Sequence, residues 1–351
     1  MMRKVGNAYQ RVSELWSKPY IKWPLILLVA AIPYIFQNNH YATILTLIAI
    51  YSISVLGYNF MAGYGGTFYM CQPAFYGIGA YTSAIISIRT GIHPIATVFI
   101  GAFVAALAGW ILSLPTQRMK EMFLTIGTLA FMQIMYAVFL NATPITGGAY
   151  GMRSIPNYNF AGIVMGYKGT WLIVLAFLVL SFTIMQRLLS SRTGRAVISM
   201  AKDPSIGAAM GADMKKYRSF AFAVAAFFGG LAGGLYAHHI GYIYYGNFTL
   251  DVNTAQLAML ALGGMASLEG CIIGPAILTI LTESLVSLYN YRMLIYGIIL
   301  ISCMVFRPQG LMGGRPVKIR KEAEKFLTTY RSKQNDTLTD MSQESQVTAG
   351  E

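Results

Sequence analysis

Residues 94–114 read PIATVFIGAFVAALAGWILSL, a run without one charged side chain. A bilayer core about 30 Å thick is crossed by about 20 apolar residues in helical form. In hydrocarbon only a helix or a closed barrel satisfies every backbone donor and acceptor. The stretch therefore predicts a transmembrane helix, and Gly101, Ala105 and Gly109, four apart, give it one face of small residues.

Similar apolar runs flank it at 23–36, 41–60, 72–88, 122–140, 170–188, 218–238, 255–268, 272–288 and 293–306. The runs 23–36, 255–268 and 293–306 are short for full spans and are expected to be broken, re-entrant or buried against neighbours. Composition agrees. Of 351 residues 56% are hydrophobic and 11% charged, against about 25% charged in an ordinary soluble domain. The fold class predicted is all-α, a polytopic transmembrane helical bundle of about ten spans that include short or broken helices.

The net charge of +13 would suggest a nucleic-acid partner in a soluble chain. Here its placement argues for topology instead, and no nucleic acid is expected. With the N-terminus inside, all but Arg89, Arg153, Lys168 and Arg292 of the 26 Lys and Arg fall in inside segments, the positive-inside signature of a cell-membrane protein. The organisation expected is a cytoplasmic basic N-terminus over 1–22, a transmembrane domain over 23–306 with a cytoplasmic loop at 190–217, and a cytoplasmic polar tail over 307–351 that is disordered at its end. No small-residue cleavage site follows the first run, so it is expected to be an uncleaved anchor. Cys71, Cys271 and Cys303 lie far apart in or beside apolar runs and read as packing residues.

A second row of small residues, Ala225, Gly229 and Gly233 with Gly230 and Gly234 beside it, repeats the pattern of 101–109. Such rows let helix backbones approach closely, either inside one bundle or at a dimer seam. Two further stretches break regular helix. Residues 61–81 contain Gly63, Gly65, Gly66 and Pro73, and residues 262–275 contain Gly263, Gly264 and Pro275. Non-helical backbone at membrane depth is tolerated only where protein or a water-lined path covers it. Paired breaks in two halves of a chain are the pattern of transport pathways. Outside, residues 141–156 form a Gly- and Pro-rich loop that either meets an entrance or delivery protein or folds over the surface.

The inside loop is the most informative. Asp203 can cap a helix, Pro204 suits its first position and Gly211 the residue beyond its end, predicting a short helix over 204–210. Ile206, Ala209 and Met210 share one face of it. Gly194, Arg195 and the residues up to Lys202 predict a second short amphipathic turn. Two small helices on an inside loop make a docking knob for a cytosolic partner, or else generic interfacial helices.

The segment from Ser191 to Asp213 resembles the coupling loop in the permease subunits of branched-chain amino-acid ABC importers, and specifically their second, M-type permease. The likeness continues through Tyr217-Arg218, Phe222, Gly229–Ala237, Gly241-Tyr242, Met259, Leu262–Gly264, Ser267-Leu268, Gly270, Gly274, Tyr296-Gly297 and Phe306–Leu311, and upstream through Gly77–Tyr81, Thr146–Gly148, Gly151 and Ile155-Pro156. It covers about residues 40–312. Glu269, Cys271 and the long tail depart from the pattern. The resemblance implies a pathway formed with a homologous second permease, two cytosolic ATPase subunits, and an extracytoplasmic substrate-binding protein. The carried solute would be a hydrophobic amino acid, with a urea or short-chain amide permease as the related alternative.

The chain has no Gly-x-x-x-x-Gly-Lys-Ser/Thr phosphate loop, so no cofactor is expected on it and ATP is used by the partner subunits. No catalytic residue and no metal site are expected. Adjacent helical residues such as His238 and His239 point about 100° apart, and no nucleophile sits in a base-paired pattern. Glu283 is the one acid within the run 272–288, where it either fixes helix packing or biases a substrate path. An ion-coupled secondary transporter would be expected to show paired intramembrane charges, and only Glu283 stands there.

Overall fold

The computed structural model describes residues 33, 39–117, 119, 121–160, 163–164, 166–202, 213–284, 297–298, 301 and 310–312. The basic N-terminus, most of the runs 23–36 and 293–306, the helix expected over 204–210 and the tail beyond 312 lie outside them. Helices dominate: α1 Asn39–Asn59, α2 Gln72–Thr90, α3 Pro94–Thr116, α4 Glu121–Asn141, α5 Tyr167–Ser190, α6 Arg192–Lys202, α7 Met214–Ile240, α8 Leu250–Gly263 and α9 Gly270–Ser284. A two-residue antiparallel pair, Asn159–Phe160 with Ile163–Val164, closes a turn before α5.

Among the described residues five helices are long and apolar enough to cross a membrane: α1 with its extension to Tyr64, α3, α4, α5 and α7. The apolar windows of α1 and α7 are 78% and 72% buried, against 22% to 39% for α3, α4 and α5. α1 and α7 are thus the centre, and the other three turn their apolar side chains outward, as expected when the outer solvent is lipid. The hydroxyls of Thr46 and Ser52 donate to the carbonyls of Ala42 and Ile48 one turn back, which satisfies them without leaving the helix.

Glycine determines how closely the central helices nest. A methyl group on Gly79 of α2 would meet the backbone of Gly230 on α7, one on Gly233 would run into the Tyr76 carbonyl, and one on Gly101 of α3 would lie 2.6 Å from the Gly79 oxygen. Gly109 similarly faces the Ala226 Cβ at 2.5 Å. Both small-residue rows therefore meet inside this chain, between α2, α3 and α7, and not at a dimer seam.

The prolines behave differently from the expectation that they break helices. Pro73 occupies the opening turn of α2, where a missing N–H costs nothing, so residues 72–81 are helix and the loop shrinks to 65–71. Pro275 sits inside α9. Gly233→Val, which pushes a side chain into the backbone of α2, should cost about 3 kcal/mol, the upper end of the usual overpacking range, and show as a lowered melting temperature and yield in detergent. Gly166→Ala has nothing within 4 Å of the added carbon and should stay within about 0.5 kcal/mol.

Candidate functional site

Two interruptions of helix meet at one end of the bundle. α1 widens after Asn59 into a π-helical turn over Phe60–Tyr64, and residues 66–71 then run without regular structure to the start of α2. The second interruption is the loop 264–269 between α8 and α9. The fully buried Asn59 joins them. Its Nδ2 donates to the Ser267 carbonyl at 3.0 Å and to the Cys271 Sγ at 3.1 Å, and its Oδ1 accepts from the Ala266 N–H at 2.9 Å. Ala266 has φ +57°, a left-handed conformation that costs a residue with a Cβ about 1–2 kcal/mol; the Asn59 carboxamide holds it there.

Glycine again permits the approach. A methyl group on Gly63 would strike the Asn59 Oδ1 and lie 2.6 Å from the Ala266 nitrogen, and one on Gly65 would lie 2.7 Å from the Met61 carbonyl. Gly263 packs directly on Gly270, so α8 and α9 form a tight hairpin, and Gly264 leaves α8 at φ +111°. The last carbonyls of α8 are satisfied by a distant segment. Leu311 N–H donates to Leu262 at 2.9 Å and Met312 N–H to Gly263 at 3.0 Å.

The first part of the loop expected on the inside touches this junction. α6 carries Ala201, and a methyl group on Gly66 (φ +64°) would lie 2.7 Å from its Cβ. Gly194 sits against the Leu188 carbonyl, which makes it the hinge of a sharp α5–α6 turn. Arg195 donates to the Ser190 carbonyl at 2.7 Å, covering the end of α5. Of the remaining residues expected in the docking knob, Asp203, Pro204, Ile206, Ala209, Met210 and Gly211 lie outside the described residues. Asp213, not singled out by the sequence, caps α7: its Oδ1 accepts from the N–H groups of Lys215 at 3.2 Å and Lys216 at 3.4 Å.

A polar circuit runs through the interior beside the junction. Gln72 donates to the Ser54 carbonyl at 3.0 Å and accepts from the Tyr69 hydroxyl at 2.6 Å, while the Tyr58 hydroxyl donates to the Tyr69 carbonyl at 2.8 Å. Glu283 is half-buried at the far end of α9, next to the last described residue of that helix, and not deep in the bundle. The pathway residues expected from sequence thus separate: Gly63, Gly65, Gly66, Gly263 and Gly264 converge, Pro73 opens α2 beside them, and Glu283 stands apart. Asn59 and Gln72 were missed. The available signal was a carboxamide standing alone at each border of the glycine-rich stretch.

At the opposite end the loop 141–156 folds back on the bundle. Met152 and Ile243 exchange backbone bonds of 2.8 and 3.1 Å, Arg89 donates to the Pro144 carbonyl, and the Arg153 guanidinium lies over the Tyr242 ring. His238 belongs to this closure. Its Nδ1 is 2.7 Å from the Pro156 carbonyl, which can only accept, so Nδ1 carries the proton and Nε2 accepts from the Ser83 hydroxyl at 2.9 Å. Among the described residues no three His, Cys, Asp or Glu side chains gather at a metal-binding distance. Cys71 and Cys271 are free and buried.

Residues 40–304 match the family model for the permease component of branched-chain amino acid transport systems. The chain is 31% identical to the high-affinity branched-chain amino acid transport system permease protein LivM of Escherichia coli K12, over 82% of this chain and 73% of the relative. It is 30% identical to LivM of Salmonella typhimurium LT2, over 82% and 74%. A probable branched-chain amino acid transport permease protein LivH of Methanocaldococcus jannaschii is 26% identical over 67% of this chain and 80% of its own length. No solved structure gives a significant match. Matched across most of its length, and built as a glycine-packed helical bundle, this chain belongs to the branched-chain amino acid transport permease family.

Proposed function

We propose that this chain is the membrane-spanning permease of an ATP-driven importer of branched-chain amino acids, pairing with a homologous second permease. Two cytosolic ATPase subunits supply the energy and an extracytoplasmic binding protein delivers the amino acid. The observation that carries this reading is the contact of α6 with the unwound segment at Gly66. Ala201 of α6, in the described first part of the Lys- and Arg-rich loop, lies against a junction where two helices are broken. With that end cytoplasmic, as the positive-inside rule requires, a push on the loop reaches residues 65–71 directly and the loop 264–269 through Asn59.

The chain hydrolyses nothing in this reading. ATP-driven closure of the partner subunits shifts α6 and the residues up to 211, and the packed junction switches between two arrangements. At the opposite end the folded loop 141–156 presents the exposed Tyr150 as a landing point for the binding protein.

The reading is tested by co-expressing the chain with a homologous permease, the ATPases and the binding protein. Tagged chain should recover the whole assembly, and proteoliposomes should take up labelled leucine only with ATP. A single purified polypeptide that transports by itself would overturn it. Ala209→Glu, in the expected docking helix over 204–210, should leave insertion and permease pairing normal while ATPase retention and leucine uptake fall together; a buried unpaired charge costs several kcal/mol. Retention and uptake both unchanged would remove that helix from the docking role.

Asn59→Leu deletes three interactions worth about 0.6 kcal/mol each in a membrane interior, about 2 kcal/mol in all. Hydrogen exchange should then quicken selectively at 60–71 and 264–269, and leucine carried per ATP hydrolysed should drop. Unchanged exchange at the second loop would show that the two breaks are not linked through Asn59.

A further inference from the structure

Gln256 of α8 is fully buried, and neither its Oε1 nor its Nε2 has a hydrogen-bond partner. Asn253, three residues earlier and on the same helix face, is 1% exposed with its Oδ1 unpaired. The Asn253 carboxamide adjoins the Tyr58 hydroxyl, which places it where the circuit of Ser54, Gln72, Tyr69 and Tyr58 ends. Tyr76, one turn beyond Gln72 on α2, is buried with its hydroxyl unpaired as well. The interior polar seam is therefore satisfied along α1 and the start of α2, and open toward α8.

An unmade hydrogen bond on a buried amide costs about 1–3 kcal/mol. Two carboxamides kept at that cost on one helix face need a partner that is absent between transport events. The open atoms include acceptors, two carboxamide oxygens, and donors, the Gln256 amide and the Tyr76 hydroxyl. The groups that fit are an ammonium beside a carboxylate, the head of a zwitterionic α-amino acid. Carboxamides carry no net charge, so they can hold such a head without trapping it, as a fixed charge in low dielectric would. Phe248, two residues ahead of α8, packs against Tyr76, 5.8 Å between ring centroids, and against Tyr81 and Phe139, an apolar wall for a branched side chain.

We infer that Asn253, Gln256 and Tyr76 form the station that receives the α-ammonium and α-carboxylate of the amino acid as it passes through the permease. The inference rests on the importer reading above and adds the residues that touch the solute.

The test uses the complete importer in proteoliposomes with labelled leucine. Gln256→Met keeps length and helix propensity and removes both unpaired polar atoms. Uptake should fall at least about tenfold, because a hydrogen bond to a charged group is lost, while subunit recovery and melting temperature hold or rise. Asn253→Leu should behave alike. Gln256→Asn, which keeps the amide but shortens it, should retain more uptake than Gln256→Met. Uptake within twofold of the parent in both apolar variants would overturn the station and leave water as the seam's occupant. A lowered melting temperature matching the lost uptake would overturn it too, in favour of a packing role. Absence of leucine uptake in the parent assembly would instead defeat the importer reading itself, a result distinguishable from either.

Discussion

Backbone touching backbone at glycine is the constraint on which this bundle depends. In water, apolar faces are pressed together by the solvent; in lipid that drive is missing and helices associate through close dispersion contact and hydrogen bonds. α2 and α7 meet where Gly79 faces Gly230 and Gly233 faces the Tyr76 carbonyl, and α3 closes the third side through Gly101 and Gly109. A Cβ at Gly79 or Gly233 would separate the helices, and the loss would extend to everything held between them. The same nesting brings Ser83 and Thr97 within reach of His238 at one end and Gln72 within reach of Ser54 at the other.

Once the helices are that close, polar groups inside become affordable and useful. An interior amide or hydroxyl left without a partner carries a desolvation cost. Asn59 avoids that cost by donating to the Ser267 carbonyl and accepting from the Ala266 N–H of the same loop, and so converts two local weaknesses, a π-helical turn and a left-handed Ala266, into one joint. Helix breaks are tolerated where freed backbone groups find fixed partners, as the Tyr69 and Ser267 carbonyls and the Ala266 N–H do here.

The hydropathy of the chain made most of the fold legible. α1, α3, α4, α5 and α7 fall within a few residues of the apolar runs because length and absence of charge suffice to specify them. The small-residue rows were legible as rows, but their partners were not, since spacing defines a face and not what covers it. Pro73 misled for a related reason: a proline reads as a breaker unless the helix is known to begin beside it. That Gly63, Gly65, Gly66, Gly263 and Gly264 lie at or beside helix breaks followed from their residue type, but that the two stretches meet did not, and Asn59, Gln72, Asn253 and Gln256 are single polar residues whose meaning exists only across the bundle.

What the sequence could least reveal is how one end of the molecule is assembled. Four segments distant in the chain meet there: the turn after α1, the hairpin between α8 and α9, residues 311–312 on the α8 carbonyls, and Ala201 of α6 on Gly66. Packed contacts of this kind do not deform gradually; they exchange one discrete arrangement for another. Because Gly66 leaves no side chain to cushion Ala201, a displacement of α6 acts on backbone that has no helical hydrogen bonds to resist it. The open side of the polar seam, at Asn253 and Gln256, belongs to α8, whose other end carries the hairpin bound by Asn59. In the proposed mechanism a shift received at α6 has a packed route, through Gly66 and Asn59, to the hairpin at the end of the helix that bears the unpaired amides.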